Sequence, residues 1–124
     1  MNEKINSAKA PAAAGPYSQA IKADDLLFCS GMLPVDPETN QLVENDVVIQ
    51  SRQIFKNLEG LLTDAGYGVE DVVKTTCFLT DMKDFAAFNE VYSGFFTSKP
   101  ARSCFAVKEL PKGALVEVEL IASK

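Results

Sequence analysis

The chain has 124 residues, about one domain's worth, and is long enough to bury a core without disulfides or metal. Its 47% hydrophobic and 23% charged residues exclude wholesale disorder, and no apolar run approaches the roughly 20 residues of a membrane-spanning helix. It contains no histidine, which excludes Ser–His and Cys–His catalytic pairs and His-ligated metal, and its net charge of −5 does not suit non-specific nucleic-acid binding.

In chain order, the opening through Gly15-Pro16 is small and Pro-containing and is expected to be an extended lead-in. It lacks the basic stretch and apolar core of a signal peptide, so the cytoplasm is the expected location. Residues 17–23 read as a short strand, and the apolar run 26–33, ended by Pro34, as a second. Residues 36–40 are rich in turn formers and make a loop or hairpin. The period then changes. Val47, Ile54, Phe55, Leu58, Leu61, Leu62 and Ala65 recur at helical spacing, with Asn45 or Asp46 to cap the start and Gly66 to end the helix. Residues 72–79 are β-branched and apolar and make a strand. Asp81 is placed to cap a second helix whose stripe is Phe85, Phe88, Tyr92 and Phe95, stopped by Pro100. Residues 103–107 and 115–122 complete the strands.

The order β-β-α-β-α-β-β predicts an α+β, two-layer sandwich, one domain over residues 1–124, with two helices on one sheet face. The other face still carries apolar residues and no helix remains to cover it, so a partner subunit is the expected cover.

Period-2 alternation puts Val116, Val118, Leu120 and Ala122 on one face of the last strand and Glu117 and Glu119 on the other, roughly 7 Å apart. They form either a solvated face or a pair of which one member lines a pocket and handles a proton or a water. Arg102 and Cys104 project together from the preceding strand. Arginine is the side chain best shaped to grip a carboxylate through two parallel hydrogen bonds. The alternatives are a surface charge at Arg102 and a small buried apolar residue at Cys104. Only Arg102 adjoins Cys104 to lower its pKa, which is weak support for a nucleophile. Asn89 falls on the apolar stripe of the second helix and must find partners, either by capping a loop or by facing a pocket. Tyr17 follows Gly15-Pro16 and either presents its hydroxyl or packs. Cys29, Cys77 and Cys104 are odd in number and widely spaced, which suggests neither a disulfide framework nor a zinc site.

These segments together resemble the RidA family, the YjgF-type reactive intermediate deaminases. The resemblance rests on Gly15-Pro16-Tyr17-Ser18-Gln19-Ala20, Cys29-Ser30-Gly31-Met32-Leu33-Pro34, Asp71-Val72-Val73-Lys74-Thr75-Thr76, Phe88-Asn89-Glu90-Val91-Tyr92, Pro100-Ala101-Arg102-Ser103-Cys104, Leu110-Pro111-Lys112 and Val116-Glu117-Val118-Glu119, in that order over almost the whole chain. It implies a fold similar to trimeric chorismate mutase, with three subunits packing their sheets around a central barrel and clefts between subunits. It implies hydrolysis of 2-imino acids such as 2-iminobutanoate and 2-iminopropanoate, released by pyridoxal-phosphate dehydratases, to 2-keto acids and ammonia, without cofactor or metal. By resemblance Arg102 binds the substrate carboxylate and Glu117 orients or activates water. Tyr17, Ser30, Gly31, Asn89 and Cys104 line or shape the cleft, and Glu119 carries less of the chemistry. Met32 stands where many members have Gln, and Phe105-Ala106 where Val-Glu is frequent. Two rival readings are a non-catalytic trimeric 2-keto acid receptor and an RNA-cleaving translation inhibitor; membrane and nucleic acid are not expected partners.

Overall fold

In the computed structural model, which describes residues 1–124, the strands are β1 (Glu3–Ile5), β2 (Ala20–Ala23), β3 (Leu26–Met32), β4 (Val35–Asp36), β5 (Gln41–Leu42), β6 (Val72–Leu79), β7 (Ala101–Ala106) and β8 (Val116–Ser123). The helices are α1 (Val47–Asp64), between β5 and β6, and α2 (Phe85–Phe95), between β6 and β7. Six strands form one sheet in the order β1-β2-β3-β8-β6-β7, and β4 and β5 form a separate hairpin. All neighbours are antiparallel except β6 and β7, which α2 joins. A parallel pair requires such a crossover. The two helices therefore lie over one face of a mostly antiparallel sheet, the expected α+β sandwich.

Within the extended lead-in, Glu3–Ile5 forms an additional strand that pairs with Ala20–Lys22 at the sheet edge. Two expectations are corrected. The strand expected from position 17 begins only at Ala20, so Tyr17 stands in the turn before it. Asp81 caps a 3-10 turn, Met82–Asp84, that feeds α2, and the helix ends at Phe95, well before Pro100.

Local chemistry accounts for α1. The Asp46 carboxylate accepts from the amides of Val48 and Ile49 at 2.9 and 3.0 Å, and Gly66 just past the helix takes φ +87°. One face buries Ile54, Phe55, Leu58, Leu61 and Leu62. Its buried polar side chains tie it to the β4–β5 hairpin and to the approach to β8: Asn57 Nδ2 donates to the Val35 carbonyl, and Gln50 Oε1 accepts from the Leu115 amide, both at 2.8 Å. Phe55 is the hub of the core, with Phe95 stacked at 4.9 Å and Phe96 edge-on at 5.5 Å. Val116, Val118, Leu120 and Ala122 supply the floor beneath the helices.

The opposite sheet face has no layer over it in this chain. Phe28 and Phe105 are 42% and 46% exposed there, and Phe105 packs edge-on against Phe78 at 5.4 Å. No helix is long and apolar enough to cross a membrane.

Candidate functional site

The register of the sheet decides which polar groups meet. On β7, Arg102 and Cys104 lie opposite Thr75 and Cys77 of β6, and all four point to the helix side. On β8, Glu117 and Glu119 lie opposite Phe78 and Thr76 and point to the uncovered side. Period-2 geometry thus sends Arg102 and Glu117 of one chain to opposite faces of the same sheet.

Around Arg102, helix α2 presents Phe85, Asn89 and Tyr92 from successive turns. Arg102 Nη1 donates to Asn89 Oδ1 at 2.6 Å. The guanidinium carbon stands 4.7 Å from the centre of the Tyr92 ring and 5.6 Å from that of Phe85. Tyr92 and Thr75 share a hydrogen bond of 2.7 Å between their hydroxyls. The single ion pair of the chain is Lys9 with Asp64, so Arg102 has no carboxylate counter-ion. It is half-buried and opens into a groove of about 590 Å³ between α2 and the β7 edge. Cys104 is also half-buried. Burial pushes its thiol pKa up and the Arg102 charge only partly opposes this, so it rests as a thiol. Cys77 beside it is pushed up to about 12 by burial, with the Cys104 charge adding to the shift.

A second group gathers around a break in β3. The register shifts between Cys29 and Met32, leaving Ser30 and Gly31 in a bulge. Ser30 Oγ donates to the Ser18 carbonyl at 2.6 Å. Gly31 lies directly under Glu117: a Cβ there would overlap Glu117 Oε2 and stand 2.9 Å from its Cδ. Burial first, and the Glu119 charge second, raise the Glu117 pKa above the usual carboxylate range. Tyr17 is 55% exposed; its hydroxyl accepts from the Ala14 amide at 3.4 Å. Tyr17, Ser30, Gly31 and Lys112 line a small cavity of about 100 Å³. Met32, in place of a polar residue, is buried opposite Val118 and forms part of that cavity's wall.

The sequence-expected residues thus fall into two clusters. Arg102, Asn89 and Cys104 form one; Tyr17, Ser30, Gly31 and Glu117 form the other. Asn89 faces the groove, where its carbonyl oxygen accepts from Arg102. The two glutamates part company, with Glu117 half-buried and Glu119 exposed. Sequence reasoning missed Thr75 and the roles of Tyr92 and Phe85 beside the arginine. The only signal was that Phe85, Asn89 and Tyr92 share one helix stripe. It also missed Lys112, whose left-handed backbone (φ +61°) between Pro111 and Gly113 brings it to the Tyr17 cavity.

Comparison with known proteins gives concordant matches. A family model described as Endoribonuclease L-PSP matches residues 7–124. A RutC family protein of Pyrococcus horikoshii is 49% identical over 125 residues, covering 100% of this chain and 99% of the relative. A mouse protein named 2-iminobutanoate/2-iminopropanoate deaminase is 47% identical over 119 residues, covering 95% of this chain and 88% of its own. The crystal structure of E. coli TdcF with bound serine superposes with a TM-score of 0.94 at 40% identity, covering 98% of each chain.

Proposed function

The chain belongs to the RidA family, the YjgF/RutC-type L-PSP proteins, and from that premise we propose that it hydrolyses reactive 2-imino acids to 2-keto acids and ammonia at clefts shared between identical subunits. The observation that carries the reading is Arg102: a half-buried guanidinium, already oriented by Asn89 and two rings, with no anion of its own chain to neutralise it. An α-carboxylate is the ligand that completes it. The mouse relative's name and the serine bound to TdcF, an amino acid with the same carboxylate, support this chemistry.

The split between sheet faces supports a shared site. The Arg102 cluster and the Glu117 cluster are different patches, and apposing one to the other is a heterologous contact, which generates a ring where the rotation between copies closes. A homotrimer is the ring implied by the family resemblance, and it would also cover the apolar face that carries Phe28 and Phe105.

In this reading Arg102 holds the substrate carboxylate and thereby fixes the adjacent imine carbon. Glu117 of a neighbouring copy holds a water and takes its proton as the oxygen attacks that carbon. A carboxylate whose pKa is raised by burial accepts such a proton more readily than an ordinary one. That proton and then the hydroxyl proton of the tetrahedral adduct pass to nitrogen, the C–N bond breaks as the C=O bond forms, and ammonia leaves, so that imine plus water gives keto acid plus ammonia. No covalent intermediate is required, which fits a thiol at Cys104 acting as a wall. Such imines are the products of pyridoxal-phosphate dehydratases. A net charge of −5 and the lack of histidine weigh against cleavage of RNA.

The test is to generate 2-iminobutanoate in situ with a threonine dehydratase and follow 2-oxobutanoate release. The protein should accelerate release and Arg102→Ala should not. No acceleration by the parent protein would refute the enzyme reading, and binding of 2-oxobutanoate without turnover would favour a keto-acid receptor.

A further inference from the structure

The chain has two arginines, Arg52 and Arg102, and only Arg102 has its guanidinium close over aromatic rings. A guanidinium offers five N–H donors, and Asn89 takes one, on Nη1. That bond fixes one corner of the fork but leaves its plane free to turn about the chain of χ angles. The plane is set by the groups packed around it. Of the two rings over which Arg102 Cζ stands, that of Tyr92 is the nearer, its centre at 4.7 Å, with Phe85 farther away at 5.6 Å.

Tyr92 is itself held. Its ring is 8% exposed and packs among Phe55, Phe88 and Phe96, with centroids at 6.1, 5.7 and 4.7 Å. Its hydroxyl meets Thr75 Oγ1 at 2.7 Å on a strand residue that is fully buried. The Cys77 thiol lies 3.9 Å from the same oxygen. A buried Tyr hydroxyl needs a partner, and this one is supplied by the strand next to that of Arg102. The ring therefore has a locked rotamer on both its apolar and its polar side.

We propose that Tyr92, locked by Thr75, is a positioning residue that sets the plane of the Arg102 guanidinium before a ligand arrives, with Asn89 fixing its rotation within that plane. The Nε and Nη2 edge is left as the free, pre-aimed fork for a carboxylate. This rests on the reading of Arg102 as carboxylate anchor. It adds two residues, Tyr92 and Thr75, that act through Arg102. Pre-ordering the fork lowers the entropy lost on binding, so its effect falls on affinity rather than on the chemical step.

The experiment uses the full-length protein as Tyr92→Leu, Tyr92→Phe and Thr75→Val, beside Arg102→Ala. Rotation of each guanidinium about Cζ–Nε is read by NMR in the absence of ligand, with exposed Arg52 as internal reference. Affinity for 2-oxobutanoate is read by calorimetry, and KM and kcat in the dehydratase-coupled assay. In the parent, Arg102 should rotate more slowly than Arg52. Tyr92→Leu should bring it to the Arg52 rate and weaken 2-oxobutanoate binding about tenfold, with KM rising and kcat held within about twofold. Tyr92→Phe keeps the ring and Thr75→Val keeps the volume. Each should raise KM by about threefold, and these two carry the test if Tyr92→Leu does not fold. A role in packing alone would lower the unfolding temperature and leave KM and the rotation rate unchanged. Equal rotation of Arg102 and Arg52 in the parent overturns the inference, as do parental KM values in the folded Tyr92 and Thr75 variants. Parental binding and turnover by Arg102→Ala would instead overturn the carboxylate-anchor reading, whatever the rotation data show.

Discussion

Replacing Gly31 by alanine adds one methyl group and should remove most of the activity while sparing the fold. The new Cβ would overlap Glu117 Oε2 and stand 2.9 Å from Cδ and 3.3 Å from Cγ. Heavy atoms settle at about 3.5–4.0 Å, so the carboxyl must move by roughly 1 Å or more. Gly31 is not among the glycines with positive φ, so alanine fits its backbone. The obstructing atoms belong to the far end of a flexible side chain, which turns aside at a stability cost of about 1 kcal/mol or less. Displacing a catalytic group by about 1 Å costs on the order of 10²-fold in rate. Imine hydrolysis by Gly31→Ala should therefore lose about 10² in kcat with little change in urea midpoint. Combined with Glu117→Gln it should be no worse than Glu117→Gln alone, because both act on one group. Parental kcat in a correctly folded Gly31→Ala would refute the idea that Glu117 must sit where Gly31 lets it. A loss of several kcal/mol would refute the claim that only a flexible carboxyl stands in the way.

The pH dependence follows from Glu117, whose pKa is raised first by burial and second by Glu119. As a base it must be ionised, so activity should fall on acidification at a pH above the ordinary glutamate value of about 4.3. Glu119→Gln should shift that limb to lower pH without bringing it fully back; an unmoved limb would mean that another group titrates. Folding raises this pKa, so the folded state holds the proton over the window between the unfolded and folded values, and stability falls as pH rises through it. Glu117→Gln should consequently be neutral or stabilising at pH 7, as thermal unfolding at fixed chain concentration would show. Cys104→Ala should keep much of the activity, since burial holds the thiol protonated; abolished turnover in a folded oligomer would assign Cys104 a direct role. Phe55→Ala, at the ring hub of the core, should cost about 3–5 kcal/mol in urea unfolding, and under 1 kcal/mol would mean the hub collapses without loss.

Much of the fold was legible because its signals are local. The spacing of Ile54, Phe55, Leu58, Leu61 and Leu62, bracketed by Asp46 and Gly66, specifies α1 almost to the residue. Alternation over Val116, Val118, Leu120 and Ala122 specifies the buried face of β8. What was hidden depends on tertiary pairing. Glu3–Ile5 is a strand only because Ala20–Lys22 offers it an edge, and no alternation over three residues announces that. Tyr17 looked like the start of a strand because β-propensity ignores the Gly15-Pro16 turn that holds it outside. The candidate site was legible in its residue types but not in its division. Strand parity gave the faces of β7 and β8 separately. Only the order β8-β6-β7 and its register show that Arg102 and Glu117 leave the sheet in opposite directions. The partner of Asn89 was equally invisible, because Arg102 reaches it across the crossover between β6 and β7.

Subunit mixing tests whether Arg102 of one copy works with Glu117 of another. Arg102→Ala and Glu117→Gln should each be inactive alone. After equal amounts are unfolded and refolded together, random assembly into rings gives about one interface in four with both an intact Arg102 cluster and an intact Glu117 cluster. The mixture should therefore recover about a quarter of the parental activity per cleft. Recovery of none, with mixed oligomers verified by mass spectrometry, would contradict a site divided between neighbouring copies.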